Sequence, residues 1–264
     1  MNKQDFIDLY LLCFTDDSHD DAEALWNMTP ENRIIAIGAE GLPCSMMVLM
    51  DGKLVLGKEE YPLYYVYAAC THPQYRKQGK MGELIQLAYN KALNEGKKGL
   101  FLNPASESLV QYYASHGFKP FSGIKTETLP SSAHGIALRK LSVQDGIKCR
   151  NKVVENSFKR YIEWDPVVSQ SALAYSKEAG GGAFTDSPDN PKVFILAEPK
   201  GGTLFVREAI GANVKNYIPG LAYSLGCQKA FIRLPSGTMD SCFGMLLSKD
   251  IPIQEAAYMG IALD

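Results

Sequence analysis

Nothing in this 264-residue chain approaches the ~20 consecutive apolar residues of a membrane-spanning helix. The opening Met1-Asn2-Lys3-Gln4-Asp5 carries charge where a secretory signal would be apolar. An excess of one charge is missing too. With 27 Lys and Arg against 29 Asp and Glu, the net charge of −2 offers no overall basic footprint for nucleic acid or a membrane surface. The six cysteines (Cys13, Cys44, Cys70, Cys149, Cys227, Cys242) contain no C-x-x-C pair and lie among apolar neighbours, which reads as reduced, packed thiols. The four histidines are equally dispersed, so no metal site is expected. The acidic turn Asp16-Asp17-Ser18-His19-Asp20-Asp21 lacks the spacing and closing Glu of a calcium loop and reads as a solvated helix entry. There is no Walker lysine-serine pair and no G-x-G-x-x-G, which argues against the common nucleotide folds. Together these absences predict a cytoplasmic protein without nucleic-acid, membrane or metal partners.

What is present is ordinary globular composition, 46% hydrophobic and 21% charged, in a chain long enough for one large domain or two small ones. The start reads as a helix over Lys3–Phe14 and a second through Trp26. Strand-like runs follow at 33–40 and 43–50, and Asp51-Gly52 marks a hairpin returning over Lys53–Leu56. The aromatic and branched run Leu63–Cys70 is a further strand. Beyond it Gly82–Asn94 carries Leu84, Ile85, Leu87, Ala88, Ala92 and Leu93 at near-helical spacing. A short strand Gly99–Leu102 leads through Asn103-Pro104 to a helix capped by Ser106, with Gly117 closing it.

Between strand and helix stands Arg76-Lys77-Gln78-Gly79-Lys80-Met81-Gly82. A glycine-bearing basic turn at a helix N-terminus is an anion cradle, because backbone N–H groups and the helix dipole favour negative charge. Gly79 and Gly82 permit close backbone approach, and Arg76, Lys77 and Lys80 add side-chain charge.

This order resembles the GCN5-related N-acetyltransferase (GNAT) superfamily. The family turn is Arg or Gln, two residues, Gly, one residue, then Gly or Ala. Here Arg76 and Gly79 match, Met81 departs, and Gly82 follows one place later. Thr71-His72-Pro73-Gln74-Tyr75-Arg76 is similar to the family's strand-to-turn passage, and Tyr113-Ala114-Ser115-His116-Gly117-Phe118 to its tyrosine, three residues, Gly-Phe segment. The motifs span roughly residues 60–121. The resemblance implies an α+β fold, a mixed and mainly antiparallel sheet flanked by helices. It implies acetyl-CoA as cosubstrate and an amine as acceptor. The turn Arg76, Lys77, Gln78, Gly79, Lys80, Met81 and Gly82 would hold the pyrophosphate, backbone at Cys70 and Thr71 would pair with the pantetheine arm, and Asn103 would face the cofactor across the cleft.

Tyr113, selected by its distance from Gly117-Phe118, is the implied general acid for the leaving thiolate. Packing on an amphipathic helix is the alternative for both Tyr112 and Tyr113. The base stays open among Glu59, Glu60, Tyr65, Tyr67 and His72, all near the strand in sequence. The terminal carboxylate of Asp264 is a further group of unassigned role. Cys70 invites an acyl-enzyme reading, but no activating His-Asp pair is nearby and a strand cysteine is usually a small packed hydrophobe.

The polar stretch 126–140 reads as a linker between a GNAT domain at 1–125 and a second, smaller module at 141–264. Helices near 142–150 and 164–178, the Gly180-Gly181-Gly182 break, strands Val193–Ala197 and Thr203–Ala209, a helix over Asn213–Leu225 and a strand Lys229–Leu234 faintly repeat the first half. Runs at Phe243–Leu247 and Tyr258–Leu263 end the chain. Where the basic turn should recur stands Arg207-Glu208-Ala209-Ile210-Gly211-Ala212-Asn213, so the second half reads as a degenerate GNAT-like α/β module without coenzyme A binding. An unrelated α+β domain is the alternative. An apolar face on it would support a homodimer. The expected activity is acetyl transfer to a primary amine, with a non-catalytic acyl-CoA binder or sensor as the rival.

Overall fold

The computed structural model describes residues 1–39 and 41–261. Glu40, Leu263 and Asp264, named above as a strand end, the end of a late run and a terminal carboxylate, lie outside the described residues. In chain order the elements are α1 (Lys3–Cys13), α2 (His19–Met28), β1 (Ile34–Ala39), β2 (Leu42–Leu56), β3 (Glu59–Thr71), α3 (Lys80–Asn94), β4 (Leu100–Leu102) and α4 (Glu107–Ser115). Then come β5 (Lys119–Pro130), β6 (Arg139–Lys140), α5 (Val143–Ser157), β7 (Arg160–Trp164), α6 (Pro166–Glu178) and β8 (Gly182–Thr185). The last are β9 (Val193–Lys200), β10 (Thr203–Gly211), α7 (Ile218–Ser224), β11 (Lys229–Ser236) and β12 (Cys242–Leu247). No described helix is long and apolar enough to cross a membrane.

The chain forms two compact units, each assembled from separated segments. The first comprises Met1–Lys53, Tyr61–Lys119 and Met245–Pro252. Its strands run in the order β1-β2-β3-β4-β12, antiparallel between β1 and β2, parallel between β3 and β4, and antiparallel between β4 and β12. Leu84, Ile85, Ala88 and Ala92 form the buried stripe of α3, whereas Leu87 and Leu93 fall on its exposed side. At Gly99 an added Cβ would lie 2.1 Å from the Leu247 carbonyl oxygen, so only glycine lets the chain enter β4 against β12.

The expected hairpin at Asp51-Gly52 does not form: β2 continues unbroken to Leu56, and the turn into β3 falls at Gly57-Lys58. The Asp51 carboxylate is held by Arg33, 3.0 Å away, and by Lys97. These ion pairs hold an extended backbone at a dipeptide that locally favours a turn, while Gly57 takes φ +66°.

The second unit comprises Leu54–Glu60, Pro120–Gly244 and the described residues from Ile253. Its sheet runs β5-β11-β10-β9-β8-β6, all antiparallel except the β10–β11 pair. Thr126–Pro130, the front of the stretch read as a linker, pair with Lys229–Arg233 of β11 as regular strand. The helix expected over Asn213–Leu225 is confined to Ile218–Ser224. The run Tyr258–Leu263 is not a strand among its described residues, Tyr258 forming only an isolated bridge to Tyr161.

A buried ion pair closes this unit. Arg150 Nε and an Nη donate to both Glu208 carboxylate oxygens at 2.8 Å, and the Tyr258 hydroxyl donates to Glu208 at 2.5 Å. Arg150 and Glu208 are essentially inaccessible, and such a pair persists in low dielectric only because its hydrogen bonds are satisfied. Gly260 passes over it at φ +75°, where a Cβ would stand 2.2 Å from the carboxylate.

Candidate active site

The site is built on the C-terminal half of β3. Its last pair with β4 is Tyr65 opposite Phe101, and β4 ends at Leu102, whereas β3 continues to Thr71. Beyond that pair the two strands part and the edge of β3 opens.

Backbone parity shows which groups face that opening. In a regular strand, residues of one parity direct N–H and C=O to one edge. Tyr64 N–H donates to the Gly99 carbonyl on the β4 side at 3.1 Å, yet His72 N–H, of the same parity, donates to Cys44 of β2 at 2.8 Å. The register must switch between them. Ala68 is the switch, a buried non-glycine residue at φ +48°. Such a conformation costs on the order of 1 kcal/mol or more and marks a bulge that re-aims the strand. Past it, even-numbered residues face β2 and odd-numbered ones face the opening. Cys70 accordingly turns inward, its carbonyl accepting from Ser45 Oγ at 3.0 Å. Ala69 and Thr71 present their peptide groups outward, and the Thr71 carbonyl accepts from Arg76 Nε at 3.0 Å.

The turn after β3 starts with a short 3-10 segment, Pro73–Tyr75, capped by His72 Nδ1 accepting from Gln74 N–H at 3.2 Å. Lys77 at φ +61° and Gly79 at φ +77° are both left-handed. Left-handed residues alternating with ordinary ones turn successive N–H groups to one side, a concavity suited to an anion. Gly79 stands at the N-cap of α3, which has no side-chain cap, whereas Asn2, Ser18, Ser106, Ser142 and Asp165 cap α1, α2, α4, α5 and α6. The first-turn amides of α3 at Lys80, Met81 and Gly82 thus have no side-chain cap, the feature that makes a helix N-terminus favourable to an anion. Lys80 lies 3.6 Å from Glu83, and Gln78 donates back to the Gln74 carbonyl at 3.0 Å.

Gly82 has a different reason to be glycine. A Cβ there would stand 2.7 Å from His116 Nε2, because the ring of His116 packs over the first turn of α3. His116 Nδ1 faces the Tyr112 carbonyl at 2.9 Å, which makes it the protonated nitrogen.

Tyr113 is buried on α4, with its ring 5.4 Å from Phe118 in an edge contact. Burial, reinforced by neighbouring Tyr112, pushes its phenol up to about 12. Asn103 follows β4 directly and is half-buried. Two thiols meet at the end of β3: a hydrogen bond with Cys70, assisted by Arg76, draws Cys13 down to about 7, and the same contact with burial pushes Cys70 up. Cys13 Sγ also lies 3.6 Å from the Thr71 carbonyl. Of the open base candidates, Glu59 and Glu60 belong to the second unit, Tyr65 is buried against Phe101, and Tyr67 is half-buried before the bulge.

In sequence, residues 2–121 match the family model of the GNAT acetyltransferase domain. The N-terminal part of the chain thus carries a GNAT acetyltransferase domain. No curated protein matches this chain in sequence. Solved structures share the fold at low identity. A GNAT protein from Kribbella flavida is 14% identical with a TM-score of 0.68, covering 93% of this chain and 69% of its own. One from Anabaena variabilis is 14% identical at 0.70, with 92% and 69% covered. An Enterococcus faecalis protein titled a probable N-acyltransferase is 12% identical at 0.72, with the same 92% and 69%.

For a GNAT domain the departure at Met81 is local, since the cradle is carried by Lys77, Gly79 and the uncapped helix end. The acidic turn forms a capping box, with Ser18 and Asp21 each accepting from the other's backbone. The donor atoms of His19, Asp20 and Glu23 lie within 4.8 Å of one another, and Glu23 is already paired to Lys3 at 2.7 Å. A cleft of about 410 Å³ in the second unit, flanked by Phe158, Arg160, Ser236 and Glu255, shares no residue with β3 or its turn. The Ala68 bulge has no sequence signature, because alanine is a poor choice for a left-handed residue.

Proposed function

We propose that this protein is an acetyl-CoA-dependent N-acetyltransferase acting on a primary amine of a small molecule, by direct attack in a ternary complex. The observation that carries the reading is the switch at Ala68, which opens the β3 edge and turns the peptide groups of Ala69 and Thr71 into it. The pantetheine arm, with amides of its own, would pair there as an added strand, and an outward N–H would polarise the thioester carbonyl. The arm leads to the Lys77–Gly82 cradle, where backbone amides hold the pyrophosphate and Arg76, Lys77 and Lys80 supply charge. Asn103 borders the opposite side. Cys70 serves as packing, its peptide groups facing β2 and its thiol held protonated.

In the reaction the neutral amine attacks the thioester carbon, a C–N bond forms and the C–S bond breaks. Tyr113 gives its proton to the departing thiolate and regains one from the nitrogen. A phenol pushed up to about 12 is protonated throughout the neutral range, as an acid must be.

The second unit fits a degenerate copy of the first. β9 and β10 pair antiparallel, β10 shifts register between Val206 and Glu208, and α7 leads to β11 parallel to β10. The basic cradle is absent from its sequence. A non-catalytic acyl-CoA sensor would use the same edge and cradle without turnover.

Isothermal titration with acetyl-CoA tests the reading. Wild type is expected to bind, and the Arg76→Ala/Gly79→Asp double variant to lose binding. A folded wild type without affinity would overturn it, and binding without acetylation of any amine would favour the sensor.

A further inference from the structure

We infer that the cleft of the second unit binds a small organic acid, with Arg160 as the anchor of its carboxylate and Glu255 as the side chain it displaces. The site shares no residue with the β3 opening and does not rest on the acetyltransferase reading.

Three segments enclose the cleft: the corner between α5 and β7 at Ser157–Arg160, the end of β11 at Pro235–Gly237, and the stretch Glu255–Tyr258. Its volume of about 410 Å³ lies in the range of small-molecule sites. Backbone hydrogen bonds fix the walls. Tyr258 N–H donates to the Arg160 carbonyl at 2.8 Å, and Ile162 N–H to the Tyr258 carbonyl at 2.7 Å. Ala257 N–H donates to the Phe121 carbonyl at 2.8 Å, and Ser236 is paired to Gly123 in the β5–β11 ladder. Phe158 stacks on Tyr258, with ring centroids 4.1 Å apart and planes 7° from parallel. The cleft is preformed, so a ligand spends little of its affinity on ordering it.

Its charge is uneven. Of the residues that line it, Lys159 and Arg160 are cationic and Glu255 alone is anionic. Arg160 Nη1 meets Glu255 Oε2 at 2.6 Å, so the guanidinium already holds one carboxylate here. The two partners are not equally held. Arg160 begins β7, where its carbonyl is bonded to Tyr258, and its side chain is 35% exposed. Glu255 stands at a bend outside any helix or strand, its side chain 72% exposed. An ion pair so open to water contributes little and yields readily to a competitor. Glu255 is the replaceable partner.

The ligand class follows from these groups. A planar guanidinium takes a carboxylate through two parallel N–H···O bonds, so an acid arriving in place of Glu255 keeps Arg160 paired. Lys159 adds a second positive charge. Phe158, Pro235, Ala256 and Ala257 supply apolar lining for the body of the ligand. A bare inorganic anion would leave that lining uncovered. A carboxylate on a flat apolar body meets both requirements.

Titration calorimetry of the full chain at neutral pH tests the site with benzoate as the probe. Benzyl alcohol, the ring without the charge, and inorganic phosphate, the charge without the ring, are the controls. Wild type is expected to bind benzoate more tightly than either. Arg160→Gln is expected to weaken benzoate binding about tenfold or more. Glu255→Gln, which releases the guanidinium, is expected to tighten it about two- to fivefold, the factor an exposed ion pair is worth. That gain cannot come from misfolding. No benzoate binding by the wild type, unchanged affinity in Arg160→Gln, unchanged or weaker affinity in Glu255→Gln, or a control that binds as tightly as benzoate would each overturn the site. Acetyl-CoA is absent from this titration, so such a failure leaves the acetyltransferase reading standing.

Discussion

Single groups beside the end of β3 and on α4 titrate away from their ordinary ranges. Tyr113, pushed up to about 12 by burial, remains a proton donor at any ordinary assay pH. Tyr113→Phe is expected to lower turnover on the order of 10²-fold with unchanged acetyl-CoA affinity, read by thiol release during amine acetylation. Cys13 moves the other way. Its hydrogen bond with Cys70 and the charge of Arg76 favour the thiolate, bringing it to about 7. The sign is that of a depressed acid: thiolate prevails above about pH 7 and is lost as pH falls below it. Iodoacetamide labelling of Cys13, followed peptide by peptide, should show its midpoint there, and Arg76→Ala should move the midpoint upward. The Cys13 shift depends on contacts between residues distant in sequence.

At the scale of elements, the N-terminus of α3 and the C-terminal end of α4 meet at Gly82. A Cβ there would stand 2.7 Å from His116 Nε2, and the ring is held by Nδ1 donating to the Tyr112 carbonyl. Gly82→Ala therefore forces the ring aside, at a cost of about 1–3 kcal/mol typical of overpacking. Removing the ring should relieve it. Denaturant midpoints of Gly82→Ala, His116→Ala and the double variant are expected to show a favourable coupling, and additive losses would refute the contact. The periodicity of α3 was legible because Leu84, Ile85, Ala88 and Ala92 repeat with the helix. That Leu87 and Leu93 stay exposed was not, because a one-dimensional pattern does not say how wide the covered face is. The Asp51-Gly52 hairpin failed for a related reason. Turn chemistry is local, whereas Arg33 and Lys97 reach Asp51 from elsewhere in the first unit.

For the whole molecule, the units interlace in sequence. The first unit takes Met245–Pro252, and its strand β12 pairs with β4 through Met245–Leu247. A fragment ending at residue 125 would leave β4 unpaired on that side, with Leu100, Phe101 and Leu102, all buried in the intact chain, bordering an open edge. Such a fragment is expected to aggregate or melt well below the full chain, which circular dichroism and light scattering would show. A fragment as stable as the whole would mean that β12 is dispensable.

The sequence by itself determined what rests on neighbours along the chain. The anion-favouring turn, the α3 periodicity, the Ser106 cap and the tyrosine, three residues, Gly-Phe segment each lie within a few turns of backbone, where spacing and side-chain chemistry act directly. Only the tertiary structure decided what depends on meetings between distant segments. The partner strand of β4 and the left-handed Ala68 that turns Ala69 and Thr71 to the open edge are of this kind. An alanine held in the left-handed region is disfavoured locally, so only the surrounding packing can keep it there, and that packing is written in no single stretch of residues.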